Sequence, residues 1–360
     1  MLSYFETRTR IIALVAVGAS VAALLLRVGG AGGVAIFAAS AVGLAGLAAM
    51  VGEGTEQLAH RLGPKATGVL QSALGNLPEF FIGIFALKAG LLDVVRAALV
   101  GSILANSLLV LGLAFLAGGL RHGTQKFGTD QTKMMATLLV LAAAAIAIPT
   151  IATSPGGPAQ GHEVELSVIV SIVLLAVFAA SIPFSIGKGP VVGSPEVAGQ
   201  REATWPLAVA AAMLLVSAVA AAFVSDWFVD ALKPAMSTLG MSETFAGLVV
   251  VAIAGNAVEN VVGVQAMLAN KGDLAISVIL NSSLQVALAL VPVLVLTSLV
   301  IGGATLTLVV APLLVAALAL TAILAAFVVI DGESTWLEGV ALIGLYVILA
   351  ASVWWGRPIG

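Results

Sequence analysis

Long apolar segments separated by short polar ones make up nearly the whole chain. A membrane-spanning helix needs about 20 mostly apolar residues, and the chain can be divided into eleven such segments. The predicted helices cover 11–28, 34–58, 67–90, 94–118, 131–150, 164–186, 205–224, 244–269, 273–299, 304–330 and 335–355. The pattern predicts an all-α integral membrane protein with about eleven transmembrane helices.

Composition agrees with this class of protein. The chain is 61% hydrophobic and only 9% charged, with a mean hydropathy of +1.16, and a soluble domain cannot cover its surface with so few charges. A net charge of -3 gives no indication of a nucleic-acid partner. Without cysteine there is no disulfide or thiol chemistry, and the three histidines lie near predicted loops. We expect neither a cofactor nor a histidine metal site.

The first apolar segment, 11–28, follows Arg8 and Arg10, which is also typical of a signal peptide. The segment is long enough to span a membrane, and we expect it to be retained as an extra first helix. Orientation then follows from the balance of Lys and Arg. With the N-terminus inside, the inner segments hold Arg8, Arg10, Arg61, Lys65, Arg121, Lys126, Lys133, Lys188, Arg201 and Lys271, and the outer ones Arg27, Lys88, Arg96, Lys233 and Arg357. We therefore expect a protein of the plasma (inner) membrane of a prokaryote, with its N-terminus cytoplasmic and its C-terminus outside.

An internal repeat appears when the chain is displaced over itself by 180 residues. Between 75–108 and 255–288, ten of 34 positions are identical without a gap. The polar identities are the most informative, and they pair Asn76 with Asn256, Glu79 with Glu259, Asp93 with Asp273 and Ser102 with Ser282. We expect an N-terminal helix (1–30), a first five-helix repeat (31–186), a linker (187–204) and a second five-helix repeat (205–360). Because five spans is an odd number, the two repeats must be inverted, an architecture that supports alternating access.

Each repeat places a glutamate inside an apolar helix, behind a Gly-Asn pair. A carboxylate at membrane depth is costly unless it has a partner or faces a cavity. Asn76 and Glu79 are three residues apart, as are Asn256 and Glu259, so each amide shares a helix face with its carboxylate. Pro78 frees a backbone carbonyl one turn earlier, and the preceding glycines permit local unwinding.

These groups are hard oxygen ligands, which suit Ca²⁺ or a similar cation. Hydroxyls and amides on the following helices are candidate ligands too, although small hydroxyls in membrane helices often only support packing. The predicted ion site comprises Glu79, Glu259, Asn76, Asn256, Gly75, Gly255, Ser102, Ser282, Asn106 and Gln285. The alternative interpretation is that the Asn and Glu side chains only hydrogen-bond between helices. Glu53 and Glu56 on helix 2 and Asp226 and Asp230 near helix 7 fit either an approach to the site or ordinary polar helix ends.

The segments GNLPEFFIGIFALKAG, GSILANSLLVLGLAFLAGG, AGNAVENVVGVQAMLANKGDLAI, SSLQVALALVPVLVL and DGESTWLEG together resemble the calcium/proton exchanger (CAX) family of the calcium/cation antiporter superfamily. The resemblance implies helix 1 plus two inverted five-helix repeats, with Glu79 and Glu259 as the ion-binding acids. It also implies that Asn76, Asn256, Ser102, Ser282 and Gln285 surround the site. The chain departs from the family where Asn260 replaces a histidine and where Pro78 resembles the sodium/calcium exchangers.

Two facing carboxylates are neutralised by one Ca²⁺ or by two protons, so either loaded site can pass through a closed, low-dielectric state. The sequence therefore predicts a secondary antiporter that exchanges Ca²⁺ for H⁺ in a lipid bilayer. A Na⁺/Ca²⁺ or Na⁺/H⁺ exchanger is the alternative on the same fold, although Val286 stands where sodium exchangers carry an acid. An intramembrane hydrolase is a remote alternative, because no nucleophile–histidine pair lies at membrane depth. A non-transporting scaffold would have no need of buried acids.

Overall fold

A computed structural model describes residues 6–62, 74–188 and 205–355, which form an almost entirely helical fold. The helices are α1 (Thr7–Val28), α2 (Gly33–Leu62), α3 (Leu77–Lys88), α4 (Leu92–His122), α5 (Thr129–Ala152), α6 (Glu163–Lys188), α7 (Leu207–Leu239), α8 (Glu243–Gly255), α9 (Ala257–Leu268), α10 (Gly272–Ser298), α11 (Pro312–Val329) and α12 (Trp336–Trp354). Within the described ranges, nine helices are long and apolar enough to cross a membrane, or ten if α8 and α9 form one span. The all-α membrane class is confirmed. The count of eleven stays a prediction, because residues 67–73 of predicted helix 67–90 lie outside the described ranges.

Two helices, α4 and α10, form the centre of the protein. In their most apolar parts, 83% of the residues of α4 and 89% of those of α10 are buried, and their side chains make up much of the core. Each contains a π-helical segment, Ala105–Val110 in α4 and Val286–Leu290 in α10. Such segments interrupt the regular ladder and often mark functional sites. The first contains the predicted ligand Asn106, and the second begins directly after the predicted ligand Gln285.

A second group of helices, α1, α2 and α7, packs through small residues. A Cβ atom added at Gly46 would lie 2.7 Å from Ala16 of α1, and one added at Gly54 would lie 3.2 Å from Leu214 of α7. The rings of Phe37 and Phe228 stack with their centroids 4.6 Å apart. The small residues allow the backbones to approach closely, which is how membrane helices associate without a hydrophobic driving force.

Helix α7 continues to Leu239, so its predicted end at residue 224 is wrong. Asp226 and Asp230 suggested a polar end, but both lie inside the helix and pair with Arg27 at 3.7 and 2.8 Å. The helix ends at Gly240, whose φ of +66° is the left-handed conformation typical of a helix C-terminus.

Predicted helix 304–330 begins only at Pro312, and the residues before it are not helical. Serine and threonine side chains from three helices accept hydrogen bonds from this stretch. The backbone N–H groups of Leu306, Leu308 and Val310 donate to the hydroxyls of Ser298 (3.0 Å), Ser167 (2.9 Å) and Thr150 (3.0 Å), respectively. These hydroxyls replace the helical partners that buried N–H groups require in a membrane protein.

One face of the protein is closed by contacts between three loops. Strands β1 (Gln125–Lys126) and β2 (Glu333–Ser334) pair antiparallel, and Lys126 contacts Glu333 at 3.0 Å. The N–H of Gly128 donates a hydrogen bond to Asp273 at the start of α10. The α4–α5 loop, the α9–α10 turn and the α11–α12 loop therefore lie on the same side of the fold.

Candidate cation-binding site

The two glutamates lie at the beginnings of helices rather than in their middles. The predicted helix 244–269 is broken at Asn256, and its two parts, Glu243–Gly255 and Glu259–Leu268, are bent by 63°. Asn76 and Asn256 have nearly the same backbone conformation, with φ and ψ of -100° and 22° and of -91° and 21°. The next helices, α3 and α9, thus start 180 residues apart. Each glutamate occupies the first turn, where a negative charge interacts favourably with the helix dipole.

The break also changes the role expected for Pro78. It stands at the second position of α3, where a missing N–H costs no helical hydrogen bond. The irregular backbone precedes the proline, at Gly75 and Asn76. The predicted unwinding is therefore present at Gly75, whereas Gly255 is the last residue of α8 and the break follows it at Asn256. Glu79 does not lie in the middle of a continuous helix.

Asn256 is the centre of a buried hydrogen-bond network between the two halves of the chain. Its Nδ2 donates to Ser102 Oγ (3.0 Å) and to the carbonyl of Ala252 (2.9 Å). Its Oδ1 accepts from Asn106 Nδ2 (3.2 Å) and from Ser282 Oγ (3.3 Å). Asn106 Nδ2 also donates to Ser282 Oγ at 2.8 Å. The amide of Asn256 therefore uses all four of its hydrogen-bonding positions.

Asn76 has a different environment, although it matches Asn256 in the repeat. Its Nδ2 donates to Gln285 Oε1 of α10 at 3.2 Å. The reason lies in the sequence, because Asn106 corresponds to Val286 in the second repeat and Gln285 to Ala105 in the first. Each half thus supplies one further amide, Asn106 in the first and Gln285 in the second, but at positions that differ by one residue in the repeat alignment. The site is therefore asymmetric.

Several buried oxygens at the site have no hydrogen-bond partner among the described residues. They are Glu79 Oε2, Glu259 Oε2, Asn106 Oδ1 and Asn260 Oδ1. Buried polar atoms are nearly always paired with protein or water, so a group of unpaired acceptors indicates a place for a donor or a cation. Asn106 is oriented by the two bonds that its Nδ2 donates, which leave its Oδ1 free to act as an acceptor.

Glu79 is held against the second half of the chain by a glycine. A Cβ atom added at Gly255 would lie 2.8 Å from Glu79 Cγ and 3.3 Å from its Oε1. The residue is only 9% exposed. The absence of a side chain at Gly255 thus lets Glu79 pack directly against the break between α8 and α9.

The predicted residues converge from four regions of the chain. Asn76 and Glu79 come from the start of α3, Ser102 and Asn106 from α4, Gly255 and Asn256 from the α8–α9 break with Glu259 following, and Ser282 and Gln285 from α10, while Gly75 precedes Asn76 in the chain. Asp226 and Asp230 instead pair with Arg27, and Glu53 and Glu56 lie near the end of α2. Their role in an approach to the site stays a hypothesis.

Sequence reasoning missed one polar contact between the central helices. The hydroxyls of Ser107 and Ser283 lie 3.1 Å apart, next to Asn106 and Ser282. Both pairs are offset by 176 residues rather than 180. The repeat alignment therefore gave no signal for this contact, which depends on how α4 and α10 cross.

We expect Gly255→Ala to weaken cation binding by about tenfold, because the new methyl group displaces the carboxylate of Glu79 by up to about one ångström. Calcium titration of the purified protein, by calorimetry or by radioactive calcium binding, measures the change. Gly344→Ala is the matched control, since a Cβ added there has nothing within 4 Å. Unchanged calcium affinity in Gly255→Ala would show that the position of Glu79 does not matter.

A helical membrane fold that buries two carboxylates among amide and hydroxyl oxygens is typical of secondary cation transporters. A family model described as "Sodium/calcium exchanger protein" matches residues 32–187 and 209–355. The chain therefore belongs to the sodium/calcium exchanger protein family, whose members are transporters rather than enzymes.

Curated relatives match most of the chain. A Ca²⁺/H⁺ antiporter of Synechocystis is 34% identical, covering 89% of this chain and 91% of that protein. The Ca²⁺/H⁺ antiporter ChaA of Bacillus subtilis is 33% identical, covering 88% and 90%. These relatives confirm the resemblance to calcium/proton exchangers that the sequence indicated.

Solved structures share the fold. The structure of native YfkE superimposes with a TM-score of 0.82 at 30% identity, covering 95% of this chain and 99% of that chain. The H⁺/Ca²⁺ exchanger CAX has a TM-score of 0.74 at 16% identity, covering 96% and 91%. The sodium–calcium exchanger NCX_Mj has a TM-score of 0.58 at 17% identity, covering 94% and 98%. The last two likenesses concern the fold alone.

Proposed function

We propose that this protein exchanges Ca²⁺ for H⁺ across the membrane by alternating access. The observation that carries the proposal is the pair Glu79 and Glu259, each with a buried carboxylate oxygen that has no hydrogen-bond partner in the described part of the chain. The printed names of the relatives, Ca²⁺/H⁺ antiporters, support the same ions.

The charge of the site explains coupling. Two carboxylates carry two negative charges, which one Ca²⁺ or two protons neutralise. Either loaded site can be closed off from water, whereas the empty, doubly charged site is strongly disfavoured in a low-dielectric environment. An unloaded transporter therefore does not complete the cycle, so that movement of Ca²⁺ in one direction requires movement of protons in the other.

The oxygens available for Ca²⁺ are not equivalent. Ca²⁺ takes six to eight oxygen ligands, and we assign to it the carboxylates of Glu79 and Glu259 together with Asn106 Oδ1, which is unpaired among the residues described. Asn256 Oδ1 already accepts two hydrogen bonds. We assign Asn256 to positioning, because it orients Asn106, Ser102 and Ser282 around the ion rather than binding it.

The predicted inverted repeats and orientation are supported by the contacts between loops. If the N-terminus is inside, the predicted helices 34–58, 94–118, 244–269 and 304–330 all end on the inside. The three loops that meet around β1 and β2 follow the last three of these helices. On the opposite face, Arg96 donates to Thr307 Oγ1 at 2.8 Å, and Lys233 to the carbonyl of Ala89 at 3.2 Å. Each contact joins two segments that are expected on the same, outer side of the membrane. We propose this topology in a prokaryotic plasma membrane, with the C-terminus outside.

Radioactive calcium flux in proteoliposomes tests the function, with a pH gradient and a sodium gradient imposed in separate experiments. We expect uptake driven by the pH gradient alone. Uptake driven only by sodium would instead support the Na⁺/Ca²⁺ alternative, which Pro78 favours and Val286 disfavours. No calcium flux under either gradient would contradict calcium as the substrate.

A further inference from the structure

A narrow cavity leads away from the carboxylate of Glu79. Its volume is about 20 Å³, and its only polar lining residues in the described part of the chain are Glu79 and Ser102. The remaining walls are apolar and come from α3, α4, α8 and α10, including Ile82, Ala86, Val94, Ala98 and Leu294. The lining of the cavity thus differs from that of the amide network, which also includes Ser102.

The cavity points towards the turn between α3 and α4. Ala86 follows Glu79 by seven residues, which is about 10 Å along a helix at 1.5 Å per residue, and lies two residues before the end of α3 at Lys88. Val94 lies near the start of α4. The lining therefore extends from the buried carboxylate almost to one end of both helices.

The size and chemistry of this cavity distinguish between the two transported ions. A volume of 20 Å³ has room for one or two water molecules, since each water needs about 10–15 Å³ measured in this way. Ca²⁺ requires several oxygen ligands to replace its hydration shell, and aliphatic walls offer none. A proton needs only a water molecule that connects it to the carboxylate.

We propose that this cavity is the route by which protons reach Glu79, separate from the path of Ca²⁺. The inference rests on the proposed exchange function. A proton passes from bulk water near the α3–α4 turn, through water in the cavity, to Glu79 Oε2. An O–H bond forms there as the contact between that oxygen and Ca²⁺ breaks.

The test separates proton transfer from calcium movement. Ala98→Leu fills the cavity from α4, and Ala117→Leu is the matched control on the same helix, because Ala117 is also partly buried but does not line the cavity. Two fluxes are measured in proteoliposomes, namely calcium uptake driven by a pH gradient and calcium/calcium exchange at equal pH, which requires no protons. We expect Ala98→Leu to lower the first by about tenfold, since it removes the space for water, and to leave the second unchanged.

Equal loss of both fluxes in Ala98→Leu, or no loss of either, would overturn the proposal. If that variant does not fold, Ala98→Cys replaces it, since the chain contains no other cysteine. The thiol is modified with methyl methanethiosulfonate after reconstitution, and the same two fluxes are measured. The modification should lower the calcium uptake driven by a pH gradient and leave calcium/calcium exchange unchanged. Failure of the exchange function itself is distinguishable, because the unmodified protein would then show no calcium uptake driven by a pH gradient.

Discussion

Glu79→Gln and Glu259→Gln are each expected to abolish calcium uptake driven by a pH gradient, with a loss of at least about a hundredfold, or about 2.7 kcal/mol. Glutamine keeps the size of the side chain but supplies neither a negative charge for Ca²⁺ nor a carboxylate that accepts a proton. With one acid left, a bound Ca²⁺ leaves an uncompensated positive charge in a buried site, which is strongly unfavourable. Flux measurements in proteoliposomes at matched protein content show the loss.

Both variants should nevertheless remain folded, because the carboxylate oxygens Glu79 Oε2 and Glu259 Oε2 make no hydrogen bonds to the described residues. Glu165→Gln is the control, since Glu165 is an exposed acid in the first turn of α6 and should transport normally. Monodisperse elution from a gel-filtration column would exclude misfolding as the cause of inactivity. Substantial transport by either glutamine variant would remove these residues from the ion site.

Asn256→Ala is expected to impair both stability and transport far more than Asn76→Ala. The first substitution removes hydrogen bonds to Ser102, Asn106 and Ser282, whereas Asn76 is bonded to Gln285. Interhelical hydrogen bonds in membrane proteins contribute about 0.6 kcal/mol each on average. The three bonds together therefore correspond to about 2 kcal/mol.

Thermal unfolding of the two variants in detergent compares positions that are equivalent in the repeat. We expect a lower midpoint for Asn256→Ala, together with weaker calcium binding because Asn106 loses its orientation. Asn256→Ser, which restores part of the hydrogen bonding, should recover some of the loss. Equal destabilisation by the two alanine substitutions would show that the network around Asn256 has no special role.

The most informative features could be predicted from the sequence alone. Polar residues are rare in apolar segments, so the matched positions of Glu79 and Glu259 and of the two asparagines already indicated a common site. The structure places Asn256 within hydrogen-bonding distance of Ser102 and Ser282 and packs Glu79 against Gly255. The sequence carries this signal because the cost of burying a polar group in a membrane leaves few reasons for its presence.

Features that depend on tertiary hydrogen bonds could not be predicted in this way. Hydropathy is the same for an apolar helix and for the non-helical stretch before Pro312, whose N–H groups donate to distant hydroxyls. Hydropathy likewise predicts a continuous helix across the break at Asn256. The asymmetry between Asn76 and Asn256 follows from a shift of one residue between repeats, whose effect is seen only when α4 and α10 are packed together.

The non-helical stretch before Pro312 also restricts which substitutions the helices around it can accept. In most membrane helices, serine, threonine, alanine and glycine replace one another at little cost, because all of them are small. At Thr150, Ser167 and Ser298, replacement by alanine or glycine removes the acceptor of a backbone N–H in another segment. Neither lipid nor a neighbouring helix can take its place. Substitution tables for membrane helices would therefore overestimate how many residue types these three positions tolerate. For Thr150 and Ser167, the limiting segment lies more than a hundred residues away in the sequence.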